Sequence, residues 1–436
     1  MSSWLPVPQD SHFPIANLPF GIISTTSNPD PRPAVAIGDY AIDLQVFASA
    51  GGFESVPEIQ LHLPAFFATS LNKFAALGRP FHRLVRKHLQ RILRSDTDLP
   101  SLLRDDKARR DLVVIPRSEA INHLPLEIGD YTDFYAGKNH AYNVGVLFRG
   151  EKNALQPNYT HIPIAYHGRA SSVVLSGTSI RRPWGQVLKD GAPAFQPCEK
   201  LDFELEMGMF VCRENHLGEP ITISMAEDYI FGYVLLNDWS ARDIQAWEYV
   251  PLGPFTSKNL GTSISPWVVL ADTLEQARQP GLPMTNPIFP YLEDDEGATI
   301  PIVELEVEIH TAGGHRALLA RTSTKELLWS WRQMIAHHTI TGCPLRVGDL
   351  FGSGTISGAS VQTEGSLLER TKNGTQPLVL AGGETMGFLR DGDTIIIKGR
   401  ANVEGSIIGF GEVSGTIKPS LDSPPVEWML LNHLKA

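Results

Sequence analysis

Cysteine is scarce: the 436 residues hold three, Cys198, Cys212 and Cys343, an odd number with no C-x-x-C pair. That speaks against a disulfide framework and a zinc ribbon, and it suits a reducing compartment. Long apolar runs are also missing, since no window approaches the roughly 18 apolar residues of a membrane span. The opening MSSWLPVPQDSHFPIANLPFG lacks a basic start followed by an apolar stretch, and the closing LNHLKA is neither a peroxisomal nor a retention address. The expected location is cytoplasmic, with no membrane partner. Basic charge is in the minority, 37 residues against 48 acidic for a net −11, so a nucleic-acid partner, which needs a continuous basic surface, is not expected. The one basic run, Arg83, Arg86, Lys87, Arg91 and Arg94, lies at helix-like intervals and reads as the solvated face of an amphipathic helix. No G-x-S-x-G elbow, H-E-x-x-H, Walker loop or complete G-x-G-x-x-G occurs, which removes support for serine hydrolase, zincin, NTPase and dinucleotide chemistry. GSGTISG at 352–358 breaks the dinucleotide pattern at Ser357 and reads as a tight β-turn.

What is present is a globular composition, 42% hydrophobic and 19% charged, with 38 glycines and 32 prolines that must go into turns and tight loops. The length predicts two domains. Residues 1–120 read as a small β-barrel with helices: β-like runs PFGIIST and RPAVAIGDYAIDL, then helical stretches around 57–76 and 80–95. Near residue 118 the character changes, and 121–436 shows short strand candidates bounded by Gly, Pro or Asp, among them KLDFELEMGMFVC, YIFGYVLLND, IVELEVEIH, TIIIKGRA and SIIGFGEVSGTIK. That spacing predicts a mainly β, α+β fold of the sandwich or roll type and not repeated βαβ units. One helix interrupts it in TSTKELLWSWRQMIAHHT, where Ser323 and Glu326 form a capping-box pattern.

The strongest chemical signal is DFELEM, in which Glu204 and Glu206 sit two apart on one strand face. Two such charges repel, so either both face water or a cation sits between them. Asp238, ending YVLLND, and Asp133, in the aromatic loop GDYTDFYAG, would complete a set of four oxygen donors suited to Ca²⁺ or Mg²⁺. Ser240 is placed to cap the following helix, on which Arg242, Gln245 and Tyr249 share a face that is either exposed or packed against a site, with Trp247 favouring packing. Lys258, in a Gly/Pro/Ser/Thr-rich loop, is either ordinary surface or a cation aimed at an anionic group. His140 is a candidate base or a satisfied structural histidine; His337 and His338 read as structural.

Read together, IGDYTDFYAGKNHAYNVGVLFRG, YHGRASSVVLSG, RRPWGQ, LDFELEMG, LNDWSARDIQAWEYVPLGPF, GTSISPWV, GDLFGSGTISG and IIGFGEVSG closely resemble the fumarylacetoacetate hydrolase family, in the same order. The likeness covers most of 120–418 and is weaker over the first hundred residues and around 275–300. It implies an SH3-like N-terminal barrel, a β-roll catalytic domain and a homodimer. It further implies calcium ligands at Asp133, Glu204, Glu206 and Asp238, and a magnesium site at Asp238, Lys258 and Thr262, where a protonated lysine offers only its backbone carbonyl. His140 would be the proton acceptor, oriented by Glu369. Tyr135, Arg149, Tyr166, Gln245, Tyr249 and Thr355 would contact substrate, with Arg242, Gln245 and Lys258 stabilising negative charge. The implied reaction is cleavage of the carbon–carbon bond of 4-fumarylacetoacetate to fumarate and acetoacetate. Two alternatives stay open: a related hydrolase or decarboxylase of another keto acid, such as an acylpyruvate, and a binding protein that keeps the fold without the chemistry.

Overall fold

The run IFGYVLLND shows no polar alternation because its strand, Ile230–Asp238, is buried at all nine positions, as a strand covered on both faces must be. Tyr233 and Leu235 join an apolar cluster with Leu305, Ile397 and Phe410. Val234 and Leu236 join a second one with Phe20, Phe74 and Leu89. The strand thus lies between two cores, with its neighbours Leu205–Val211 and Leu350–Gly352 also sending side chains to both, and it ends at Asp238.

The computed structural model describes residues 2–294, 297, 299–380 and 383–422. Ile230–Asp238 lies inside an eight-stranded sheet whose path runs Ala165–Gly168, Tyr131–Phe134, Leu350–Gly352, Leu205–Val211, Ile230–Asp238, Thr262–Ile264 and Val173–Leu175, with Val269–Leu270 pairing off it. Two of its pairs are parallel, Tyr131–Phe134 with Leu350–Gly352 and Thr262–Ile264 with Val173–Leu175. A five-stranded sheet of Arg316–Ser323, Glu304–His310, Thr394–Val403, Ser406–Lys418 and Ile180–Arg181 covers one face. Its backbone comes in close: a Cβ on Gly399 would lie 2.6 Å from a methyl of Leu235, which would have to shift. The architecture is mainly β, as expected, with a smaller N-terminal unit on the opposite face.

In that unit, Val114–Pro116, Tyr40–Asp43, Arg32–Ile37, Phe20–Ser24 and Ile121–His123 form an all-antiparallel five-stranded sheet. It reaches the larger unit through a bridge in which Phe20 and Val268 exchange both backbone hydrogen bonds, at 2.9 and 2.7 Å. The expected second helix is present as Gly78–Leu93. The expected helix over 57–76 is instead three short pieces, Pro57–Gln60, Leu63–Phe67 and Asn72–Ala75, two of them opened by proline in the first turn.

Other local expectations need correction. Ser323 caps only the 3₁₀ turn Thr324–Glu326, because Leu327 then runs extended and bridges Gly137. The helix begins later, at Trp331–Thr339, with a complete capping box between Ser330 and Gln333. Ser240 does not cap its helix; its hydroxyl bonds the Asp238 carbonyl at 3.1 Å. GSGTISG is not a tight turn either: after the strand Leu350–Gly352 it continues as irregular chain past the carboxylates described below. The basic run of Gly78–Leu93 is only partly a solvated face, since Arg86 donates to the Ala16 and Asn17 carbonyls and Arg83 pairs with Asp272.

The preceding arginine is more deeply engaged. Arg79, 7% exposed, donates to Asp272 at 3.0 Å through Nε and also pairs with Glu227 and Glu275 of the larger unit. Removing one partner of a buried ion pair leaves an uncompensated charge and costs about 3–5 kcal/mol. Arg79→Met should therefore lower the urea midpoint markedly, whereas Arg91→Met at the exposed Arg91–Asp98 pair should leave it unmoved; equal midpoints for the two variants would refute a clamp between the units.

Candidate active site

Four carboxylates meet where three strands end. Asp133 lies on Tyr131–Phe134, Glu206 on Leu205–Val211 and Asp238 at the end of Ile230–Asp238. Glu204 sits in the break between Leu201–Asp202 and Leu205–Val211, so the expected one-face strand pairing of Glu204 with Glu206 is not what forms. All four are buried, with Glu206 and Asp238 fully so. They divide into two groups. Glu204 is satisfied by cations: Lys258 Nζ bonds it directly, and Arg242 Nη1 lies 2.8 Å from its Oε1. Burial alone would raise the Glu204 carboxyl, but Lys258, Arg242 and His140 outweigh it and hold it well below the ordinary range. Lys258 also reaches Asp238 Oδ2 at 2.5 Å, and despite burial these two anions keep its ammonium charged above the usual lysine range.

Asp133, Glu206 and Asp238 form the other group, each offering an oxygen within 4.8 Å of the others. Asp133 Oδ1 and Glu206 Oε1 are buried without any hydrogen-bond partner. Burial, reinforced by mutual repulsion, pushes both carboxyls well above their ordinary values. The surroundings add donors only at the margin: Gly354 N gives 3.0 Å to Glu206, Tyr166 hydroxyl 3.0 Å and Thr262 hydroxyl 3.3 Å to Asp238. The backbone makes room for the group, because a Cβ on Gly352 would fall 2.6 Å from Asp133 Oδ1 and 3.1 Å from Glu206 Oε2. Orphaned carboxylate oxygens packed around a side-chain-free cradle fit a hard divalent cation.

His140 approaches from the helix Lys138–Arg149. That helix starts at Gly137, where a Cβ would lie 2.0 Å from the Thr355 carbonyl, so only glycine lets it pack this close. The His140 ring is pinned from behind by a 2.6 Å bond between Nδ1 and Glu369 Oε2, and its other nitrogen stands 3.8 Å from Glu204. Glu369 also accepts from Asn143 at 2.9 Å, Ser357 at 2.9 Å and Ser366 at 2.8 Å. Burial would raise it, but the His140 ring and these donors together hold it below its ordinary value. A carboxylate there accepts a hydrogen bond from Nδ1–H and leaves Nε2 as the acceptor.

These groups open on one cavity of about 400 Å³. Its wall includes Tyr135, Arg149, Tyr166, Gln245, Tyr249 and Thr355, so all six expected substrate contacts line it. Arg242 and Gln245 stand together, Nη1 donating to Oε1 at 3.0 Å, and Arg242 Nη2 is buried with no partner, a donor aimed at nothing among the described residues. Arg149 commits Nε and Nη2 to the carbonyls of Asn153 and Ala154. Trp247, whose presence favoured the packed reading of this helix, is 41% exposed, its indole N–H donating to Gln186 Oε1 at 3.4 Å. A wider cleft of about 870 Å³, between His12, Arg117 and Trp267, holds none of the carboxylates.

Several participants escaped the sequence reading. Asp202, fully buried, accepts from Phe203 N, Leu367 N, Leu368 N and Arg242 Nε, tying the carboxylate strand to the short helix Leu367–Arg370 that carries Glu369. Ser366 and Glu369 make a Ser-x-x-Glu capping pattern that could have been read directly. Asn143 and Ser357 carried no signal in isolation.

With the geometry in hand, comparisons with known proteins are informative. The family described as fumarylacetoacetate (FAA) hydrolase C-terminal matches residues 131–418, and that described as fumarylacetoacetase N-terminal matches 16–125. The fumarylacetoacetase of Aspergillus fumigatus is 57% identical over 97% of this chain and 99% of its own length. That of Mus musculus is 46% identical over 96% and 99%. Among solved structures, a fumarylacetoacetate hydrolase from psychrophilic Exiguobacterium antarcticum covers 92% of this chain and 99% of its own at 17% identity with a TM-score of 0.52, a likeness of fold.

Because the cradle at Gly352 is open only for lack of a side chain, Gly352→Ala should displace Asp133 and Glu206. Divalent-cation affinity, titrated calorimetrically on the metal-free protein, should fall by roughly 10–100-fold, the usual cost of misplacing ligands. Undiminished affinity would mean that these carboxylates do not share an ion.

Proposed function

The chain belongs to the fumarylacetoacetate hydrolase family, and from that premise we propose that its cavity hydrolyses 4-fumarylacetoacetate to fumarate and acetoacetate, the closing step of tyrosine and phenylalanine breakdown. The observation that carries the reading is that His140, backed by Glu369, lines the same cavity as Asp133 and Glu206, two members of the acidic group that Asp238 completes.

In this reading Glu369 holds Nδ1–H of His140, and Nε2 removes a proton from water. The water oxygen adds to the carbonyl beside the alkene. Arg242, through its unpartnered Nη2, and Lys258 stabilise the negative charge that develops on the carbonyl oxygen, with Gln245 alongside. When the carbonyl re-forms, the carbon–carbon bond breaks, its electron pair goes to the acetoacetate fragment, and that carbon takes up a proton. Arg149 and the tyrosines Tyr135, Tyr166 and Tyr249, with Thr355, orient the terminal carboxylate and the chain between.

Asp133, Glu206 and Asp238 would hold the cation, which as a Lewis acid polarises the diketone oxygens and favours the departing enolate. The all-oxygen donor set suits Ca²⁺ or Mg²⁺. Glu204 completes a four-carboxylate calcium set once its carboxylate is shared with the ion as well as with Lys258 and Arg242. For magnesium, Thr262 and the Lys258 carbonyl beside Asp238 are the alternative donors.

The apolar rim of Val250, Leu252 and Phe255 supports assembly as a homodimer, a second copy covering what water now touches. Three free cysteines accord with a reducing, cytoplasmic setting. Among the described residues no helix is long and apolar enough to cross a membrane.

Incubating the purified protein with fumarylacetoacetate should yield fumarate and acetoacetate, and a chelator should stop turnover until Ca²⁺ or Mg²⁺ is restored. Turnover of an acylpyruvate but not of fumarylacetoacetate would favour the related-hydrolase alternative. His140→Ala should keep its cation affinity while turnover drops by roughly 10²–10⁴-fold; unchanged turnover would take His140 out of the reaction.

A further inference from the structure

Lys258 must be held in place by something other than its own neighbours in sequence. It follows the loop 249–257, whose residues Val250, Leu252 and Phe255 are 65%, 94% and 70% exposed, yet Lys258 itself is 7% exposed and sits between Glu204 and Asp238. Most backbone bonds along this loop are local, such as Gly253 N to Tyr249 O, Lys258 N to Phe255 O and Asn259 N to Thr256 O. An exposed loop joined mainly to itself does not fix a buried charge.

Glu248 supplies the missing tie. It is the last residue of the helix Arg242–Glu248, where the helix dipole disfavours a carboxylate unless other donors satisfy it. Those donors are present. Oε1 accepts from Phe255 N and Ser257 N, both at 2.8 Å, and Oε2 accepts from Thr256 N at 3.0 Å and Thr256 Oγ1 at 2.6 Å. One carboxylate thus gathers three consecutive amides, the last of them one residue before Lys258. Burial would raise the Glu248 carboxyl, but the bonds from this loop outweigh it and keep it below its ordinary value. The same helix brings Arg242 and Gln245 to the cavity, so Glu248 locks the lysine loop to the element that carries its catalytic neighbours.

We propose that Glu248 is a positioning residue for this reaction, fixing the loop 249–257 so that Lys258 is delivered to Glu204, Asp238 and the bound substrate. The inference rests on the hydrolase reading above. Lysine presents a compact charge on a flexible stem, so its effect on a developing anion depends on where its backbone is anchored.

The test compares Glu248→Gln with the wild type, in the native background and in Lys258→Gln. The substitution at Glu248 keeps the size of the side chain but puts an amide donor against amide donors. Expected is a kcat lower by about 10–100-fold with KM within about threefold, the scale of a misplaced catalytic group. In the Lys258→Gln background the same change should alter kcat less than about twofold, since the two residues act as one unit. Glu248→Asp, which keeps the charge with a shorter reach, should fall between. Independently of turnover, hydrogen exchange followed by mass spectrometry should be faster across 255–257 in Glu248→Gln. Unchanged exchange, unchanged kcat, or the same factor lost in both backgrounds would overturn the proposal. A wild type inert toward fumarylacetoacetate would instead fail the functional reading, and the exchange measurement would still decide whether Glu248 holds the loop.

Discussion

Buried negative charge in excess is the constraint from which the rest of the site follows. Asp133, Glu204, Glu206 and Asp238 converge from separate segments in a region where water does not screen them, and among the described residues only Lys258 and Arg242 enter the cluster as permanent cations. Like charges a few ångströms apart in a low-dielectric setting repel strongly. The protein neutralises one side of the cluster with its own side chains and leaves the other side with orphaned oxygens. A chain that keeps buried carboxylates unsatisfied has its stability tied to a partner it does not itself contain.

That division needs a rigid frame, and the sheet provides it through register. Gly352 is paired with both Asp133 and Gly208, and Asp238 with Thr262, so the carboxylates sit on neighbouring strands with a gap in side-chain volume between them. Both faces of Ile230–Asp238 are filled by apolar cores, which leaves Asp238 little freedom to turn away. The N-terminal unit contributes here without lining the cavity: its Phe20 and Phe74 share the cluster that holds Val234 and Leu236. A domain that adds no chemistry can still set the position of a ligand.

Much of this was legible in the sequence. Alternation is absent from YIFGYVLLND because the strand is buried on both sides, and DFELEM, with Glu204 and Glu206 two apart, was the clearest pointer to the site. The helix face of Arg242, Gln245 and Tyr249 was likewise visible from spacing, and all three line the cavity. What spacing does not carry is direction in space. Glu204 and Glu206 looked equivalent two residues apart, yet a break in the strand sends one to the cations and the other to the acidic group. The capping pattern read at Ser323 opens only a 3₁₀ turn, after which Leu327 runs extended and bridges Gly137, and the helix is capped at Ser330 instead. Asp202 and Glu248 were unreadable as functional, because their partners are backbone amides from distant or looped segments, and amides leave no mark in composition.

Those two carboxylates point to a common device. Asp202 gathers the amides of Leu367 and Leu368 at the start of the segment bearing Glu369, while Glu248 gathers those of Phe255, Thr256 and Ser257 ahead of Lys258. Each anion flanks the helix of Arg242, one bonded to its first residue and the other being its last. The short helix therefore connects the side of the cavity where His140 meets Glu369 to the side where Lys258 and Arg242 meet Glu204. Reaction at a carbonyl requires a proton acceptor and a charge-stabilising donor at a fixed separation, and backbone amides bound to buried or half-buried carboxylates hold such a separation more firmly than long side chains reaching across a cavity. The centre and its edge therefore differ in kind: Asp133 and Glu206 keep orphaned oxygens, whereas Asp202 and Glu248 are engaged by several donors each, and each engaged donor carries a piece of the site into register.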